Sequence, residues 1–469
     1  MASRSVTRLG VAVLGLLSLL GYAVDRHALF SRALSVHGAY VVVFAVLFAL
    51  YLAAMGIVWR RPSEDRALFG LILGFALLFR LVVLPSPIVL SSDLYRYLWD
   101  GRVQWAGINP YRYAPAAPEL ASLRDDAIYP NINRPTRRTV YPPGAEAVFA
   151  LVAGIAPNSV VAWRLFLLVC EVVTGALLLR LLRRMRAPFG AVIVYAWAPL
   201  VVFEGVQAGH LEVALLPALL LALLWRQDGR MARAGAALGV AVLMKLYPAV
   251  LLLAWWRRGE RRFPATCLSV IAAGYLPYAA TAGDGVLGFL PRYFGSGEDF
   301  NIGLRFFLTE GIGFGGEVAR GMVMLILFGV LLALLLRIRR RLREGAAGVF
   351  SAAMAGVAAY LVLVPTALHA WYAIWILPFL TVSLSLAWLW FTGAVVLSYL
   401  KYAWHPEPFP FWARALEFFP LYALLAWEWR TRRISVGAGA APREVEFLPA
   451  EATPLPAPEQ RSARHRPWA

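Results

Sequence analysis

Long apolar runs alternate with short basic clusters along almost the whole chain. Residues 9–24, 38–59, 67–85 and 160–182 are apolar over roughly the 20 residues that a helix needs to cross a bilayer. Further runs lie at 188–206, 209–226, 263–280, 319–337, 345–364, 368–383, 386–401 and 412–428. The run 232–257 carries Lys245-Leu246-Tyr247-Pro248 in its middle and basic residues at both ends. This pattern predicts two short helical halves meeting at Pro248, with Lys245 deep in the membrane or near its outer face. The whole predicts an all-α polytopic membrane protein, a bundle of roughly 13–14 transmembrane helices. Residues 145–157 are apolar but too short to span, and predict a dipping or surface helix.

The basic clusters orient the path. Arg60, Arg61 and Arg66 lie between two runs, and Arg180, Arg183, Arg184 and Arg186 end another. Arg226 with Arg230, Arg337 to Arg343, and Arg430 with Arg432 and Arg433 continue the series. Cytoplasmic loops are enriched in such residues, so both termini are expected in the cytoplasm. Met1 to Arg8 is short and basic, but Asp25-Arg26-His27 closes the first run and no small-residue cleavage site follows. A retained first span is therefore expected, not a signal peptide. Residues 1–430 form the bundle on this reading, with outer loops at 86–157 and 281–318. The Pro-, Ala-, Glu- and Arg-rich residues 431–469 form a disordered cytoplasmic tail.

Composition agrees. Of the 469 residues, 60% are hydrophobic and 15% charged. A formal charge of +18 would suggest nucleic acid in a soluble protein. Here the arginines sit between apolar runs and face an anionic leaflet instead, so no nucleic-acid partner is expected. Cys170 and Cys267 lie inside apolar runs, with no disulfide framework or metal spacing.

The chemistry concentrates in the first outer loop. Ser91-Ser92-Asp93 opens a stretch that runs through Arg96, Asp100 and Arg102 to Gly107-Ile108-Asn109-Pro110. The serines can start a helix and the Gly-x-Asn-Pro can stop it. Asp93, Arg96 and Asp100 then share one face, and Leu94, Leu98 and Trp105 another. That predicts an amphipathic helix at the membrane surface. Prolines and asparagines at 129–135 and 141–144 argue against one long element beyond it. By the predicted topology Tyr141, Glu204, His210, Glu212, Arg292, Asn301, Arg305, His369 and His405 also gather at the outer edge. Carboxylates, bases and aromatics there suit a lipid-borne phosphate and a polar acceptor reached from water.

The motif Asp93-Leu-Tyr-Arg-Tyr-Leu-Trp-Asp-Gly-Arg-Val-Gln with Gly107-Ile-Asn-Pro-Tyr carries a family resemblance. So do Tyr141-Pro-Pro-Gly, Gly209-His-Leu-Glu212, Lys245-Leu-Tyr-Pro248 and His369-Ala-Trp-Tyr372. Over roughly residues 38–430 the chain resembles the polyprenyl-phosphate-sugar-dependent glycosyltransferases of the GT-C superfamily, in particular the bacterial mannosyltransferase-like family 87 group. The resemblance implies a hexose, mannose by analogy, moved from a polyprenyl-phosphate donor to a hydroxyl of a glycan or glycolipid acceptor outside the cytoplasm. It implies inversion with Asp93 as general base and Asp100 beside it. Arg96, Arg102, Tyr141, His210, Glu212, Lys245, Tyr247, Arg292, Arg305, His369 and Tyr372 are then expected to bind substrate or lipid phosphate. The family often has an acidic pair where this chain has the single Asp93. With cations available for the phosphate, no metal or other cofactor is expected.

Ordinary readings exist for each residue. Asp93 can cap a helix, Asp100 can pair with Arg96 or Arg102, and Lys245 can snorkel to the cytoplasm. His210, Glu212 and His369 can be interface residues, and Arg292 and Arg305 can be solvated. A transporter or flippase of lipid-linked sugars is the alternative function. It predicts an internal repeat and polar residues along a path through the membrane. No repeat is visible, and the polar residues gather at one face.

Overall fold

The computed structural model describes residues 2–24, 34–60, 65–293, 300–311, 316–343, 345–403 and 409–437. His405 and residues 438–469 of the expected tail lie outside the described residues. The bundle proper runs from Met1 to Ala426, and a second unit begins at Trp427, of which the described part is the end of the helix Phe411–Gly437.

The described residues are helical, with one isolated bridge between Phe300 and Ala367. Among the described residues, eight helices are long and apolar enough to cross a membrane, and nine if one bent pair counts as a span. The protein is thus a multi-pass membrane protein. Several expected crossings are built differently from a straight helix. The run 188–206 folds as Phe189–Ala196 and Val201–Gln207, bent by 61°, and the second piece is π-helical. The run 209–226 forms the 16-residue helix Glu212–Gln227. The run 368–383 becomes the 3₁₀ stretch Ala370–Trp375 and the four-residue helix Leu377–Leu380. Hydropathy reports burial in a nonpolar medium, and these segments satisfy it by burial inside protein.

Lys245-Leu246-Tyr247-Pro248 breaks its run as expected. The helix Met231–Met244 stops at Lys245, which is extended, and a second helix runs Val250–Trp255. Pro248 lacks the N–H that a continuing helix would need.

Two buried arginines knit the bundle. Arg80 Nε donates to Glu171 at 2.5 Å, and its Nη1 donates to the carbonyls of Ala76 and Ala196. Arg164 Nη1 donates to the carbonyls of Leu84 and Ser86. Each charge is thereby paired or solvated by protein, which its removal from water requires.

The loop 86–157 carries several short helices. Its helix Asp93–Trp105 starts where predicted and ends at Ala106, before Gly107, whose φ is +76°. It does not lie open at a membrane surface. The short helix Pro143–Ile155 covers one side, and 3₁₀ turns at Pro118–Leu123 and Tyr129–Asn131 approach it as well. Leu94, Tyr97, Leu98, Trp99 and Val103 are buried, and so are the charged Arg96 and Asp100. Gly101 permits the contact: a β-carbon there would stand 2.5 Å from the carbonyl oxygen of Phe149.

Candidate active site

A cavity of about 450 Å³ opens beside the N-terminus of the helix Asp93–Trp105. Its walls come from four parts of the chain distant in sequence. Leu90 to Arg96 and Asn133 to Pro142 supply one wall, and Lys245 to Tyr247 come from the helix break. Phe289 and Phe300 come from the loop 281–318, and Tyr360 to Tyr402 include His369, Trp371, Tyr372 and Trp375.

Asp93 occupies the first turn of its helix, yet Ser92 gives no side-chain cap, and the Asp93 N–H donates to Ser91 Oγ at 3.3 Å. The Asp93 carboxylate is therefore not consumed in capping. One oxygen accepts from Asn133 Nδ2 at 2.5 Å, and the other lies 3.9 Å from His210 Nδ1. His210 is fully buried, and its Nε2 lies 3.3 Å from Glu204. Glu204 accepts from the hydroxyls of Tyr40 and Tyr399, each at 3.0 Å. The π-helical turn Val201–Gln207 aims Glu204 inward, and Gly209 at φ +77° turns the chain so that His210 follows.

Lys245 donates to Glu212, and its Nζ stands 4.5 Å from the centre of the Tyr372 ring. Glu212 is fully buried, whereas the Lys245 side chain retains 20% exposure toward the cavity. The cation is thus held by a carboxylate and an aromatic face, with room left for an anion. His210, Trp371 and His369 stack in a column, with ring centres 3.7 and 4.3 Å apart. Phe300 stacks on His369 at 4.8 Å. Backbone bonds between Phe300 and the segment at Thr366 and Leu368 bring Phe300 onto this column.

Arg96 faces the cavity from a buried acid pair. Its Nε lies 2.8 Å from both oxygens of Asp100, and its Nη1 donates to the carbonyl of Arg137 at 3.0 Å. Glu146 lies behind, accepting from Thr139 Oγ1 at 2.6 Å and from Gln104 Nε2 at 3.1 Å. Burial pushes both carboxyls up; Arg96 opposes this at Asp100, and the nearby Asp100 charge adds to it at Glu146. Glu146 is the one held well above the usual carboxylate range, by its burial first and by the Asp100 charge second.

Of the expected site residues, Asp93, Arg96, Tyr141, Lys245, Tyr247, His369 and Tyr372 line the cavity. His210 and Glu212 stand directly behind Asp93 and Lys245. Asp100 was expected to be catalytic; the structure buries it against Arg96, off the cavity wall. Arg102 turns away as well, because Asp125 takes it at 2.5 Å and Asn158 at 3.0 Å. That contact holds the Asp125 carboxyl down at about 2. Arg305 is buried in the short helix Leu304–Phe306 and does not line the cavity. Arg292 lies in the helix Leu290–Tyr293, and its side chain lies outside the described part of the structure.

Sequence reasoning passed over Asn133, Arg134, Arg137, Arg138, Trp371 and Trp375, all on the cavity wall. A signal for the arginines existed. Three arginines within five residues of a loop assigned to the outside run against the charge rule used to assign it.

The cavity joins a carboxylate, a cation at a helix break and an aromatic column. Residues 139–365, just under half of the chain, match the model of glycosyltransferase family 87. That match, on a multi-pass chain, indicates a membrane glycosyltransferase. No curated protein and no solved structure matches it. The matched segment contains Tyr141, His210, Glu212 and Lys245; Asp93 and His369 lie outside it and line the same cavity as Tyr141 and Lys245.

Proposed function

We propose that this glycosyltransferase moves a hexose, mannose by family analogy, from a polyprenyl-phosphate carrier to a hydroxyl of a lipid-linked or cell-envelope glycan. The reaction takes place on the extracytoplasmic side of a bacterial inner membrane. The observation that carries this reading is Asp93, held at the cavity wall by Asn133 and flanked by His210.

In the reaction, Asp93 accepts the proton of the acceptor hydroxyl as its oxygen attacks the anomeric carbon. The bond from that carbon to the phosphate oxygen breaks, its electron pair stays on the phosphate, and the configuration inverts. Lys245 faces the charge that develops on the phosphate, with His369 near it. The apolar wall at Leu246, Val364 and Trp375 suits the first isoprene units of the carrier. Trp371 and Tyr372 offer faces for a sugar ring.

The test is transfer from a labelled polyprenyl-phosphate hexose to an envelope glycan extract by the purified protein in nanodiscs. Wild type is expected to transfer the label, and Asp93→Asn to lose about 10²- to 10⁴-fold in rate. Movement of intact donor across the bilayer without transfer would replace the reading with a flippase. Equal rates for both proteins would remove Asp93 from the role of base.

A further inference from the structure

We propose that the acceptor carries an anionic group, a phosphate or a carboxylate, and that Arg137 and Arg138 hold it at the cavity rim. The inference rests on the glycosyl-transfer reading of this cavity, because it assigns the rim to the second substrate.

Three nearby cations already have acid partners. Arg96 has Asp100, Arg102 has Asp125, and Lys245 has Glu212. Arg137 and Arg138 line the same cavity, are exposed, and make no ion pair with a described acid. Two adjacent cations without acids repel each other, and an arriving anion relieves that. On the proposed orientation they also stand on the face of the membrane where arginine is not favoured.

Their backbone is fixed although their side chains reach solvent. The Arg137 carbonyl accepts from buried Arg96, and Thr139 is tied to buried Glu146. The Phe289 N–H donates to the Thr139 carbonyl at 3.0 Å, and the Arg137 guanidinium lies 4.9 Å from the Phe289 ring centre. A segment so held loses little backbone freedom on binding, which is how a recognition site is preorganised. Arginine suits phosphate and carboxylate through paired N–H groups. The donor phosphate has its own cation on another wall, where Lys245 sits among Glu212, Tyr372 and Trp375. The rim arginines are therefore left for the substrate that arrives from water.

The experiment measures binding without donor present. Hexyl mannoside and hexyl mannoside 6-phosphate are titrated against the full chain in neutral-lipid nanodiscs. Wild type is expected to bind the phosphorylated glycoside at least about tenfold more tightly. In the double variant R137Q/R138Q that ratio is expected to fall to about one. A ratio near one in wild type, or a ratio retained in the variant, overturns the proposal. Weaker binding of polyprenyl-phosphate hexose by the variant also overturns it, by assigning the arginines to the donor. Because no transfer is needed, failure of the glycosyl-transfer reading and failure of this inference give different results.

Discussion

At the residue scale, buried Asp100 and Glu146 look alike in sequence and differ in the structure. Asp100 is the counter-ion of Arg96, and Glu146 lies behind it with its carboxyl pushed up by burial and by the Asp100 charge. Asp100→Asn leaves a buried guanidinium without its charge partner and is expected to cost about 3–5 kcal/mol of stability, read as a large fall in melting temperature. Glu146→Gln keeps the acceptor for Thr139 and supplies an N–H toward Asp100, so it folds. The sign of its pH effect follows from linkage. The folded-state value of Glu146 is raised, so wild type loses stability as pH rises above the ordinary carboxylate value, and the glutamine does not. The melting temperature of Glu146→Gln minus that of wild type is expected to increase from pH 5 to pH 8. A difference constant over that range would mean that Glu146 is ionised in the folded protein. None of this was legible in the sequence, where Glu146 is one acid in an apolar run. Asp93 was legible, since it follows a polar opening after an apolar run and heads a helix.

At the element scale, the packing of Asp93–Trp105 on Pro143–Ile155 sets the outer-loop wall. Gly101→Ala places a β-carbon 2.5 Å from the Phe149 carbonyl oxygen, in backbone that cannot swing aside. The expected loss is about 1–3 kcal/mol, with weaker transfer because the first helix carries Arg96 and the second follows directly on Tyr141 and Pro142. Gly56→Ala, in the helix Val36–Arg60, meets nothing within 4 Å and serves as the control, expected at or slightly above wild-type stability. Equal thermal shifts for the two would show that the close approach is not limiting. Both outer-loop helices were legible: one from its start and stop residues, the other from an apolar run too short to span. The break at Lys245 to Pro248 was legible too, because proline and a lysine in grease both resist a plain span. The bend between Ala196 and Val201 and the 3₁₀ stretch Ala370–Trp375 were not. An apolar run has the same hydropathy whether lipid or protein covers it.

At the scale of the whole molecule, the proposed orientation places Thr136 outside and Arg230 inside, and both are exposed in the structure. The two native cysteines are buried, so the labelling background is low. In intact cells a membrane-impermeant thiol reagent is expected to modify Thr136→Cys at once and Arg230→Cys after permeabilisation. The reverse order would invert the topology and move the active site to the cytoplasm. The general character of the molecule was legible from hydropathy and arginine clusters. The cavity itself was not, because its walls come from segments near residues 93, 137, 245, 289 and 370, and no local pattern reports their meeting.

The pair formed by Arg80 and Glu171 has a consequence for how the protein is made. The two are 91 residues apart, so the ribosome delivers the arginine to the membrane well before its carboxylate exists. Until then the charge has no partner, at a cost of about 2.5–3.5 kcal/mol on insertion scales. The helix Arg66–Val83 is therefore expected to stay loosely seated at the translocon until Val160–Arg184 emerges and releases both into lipid together.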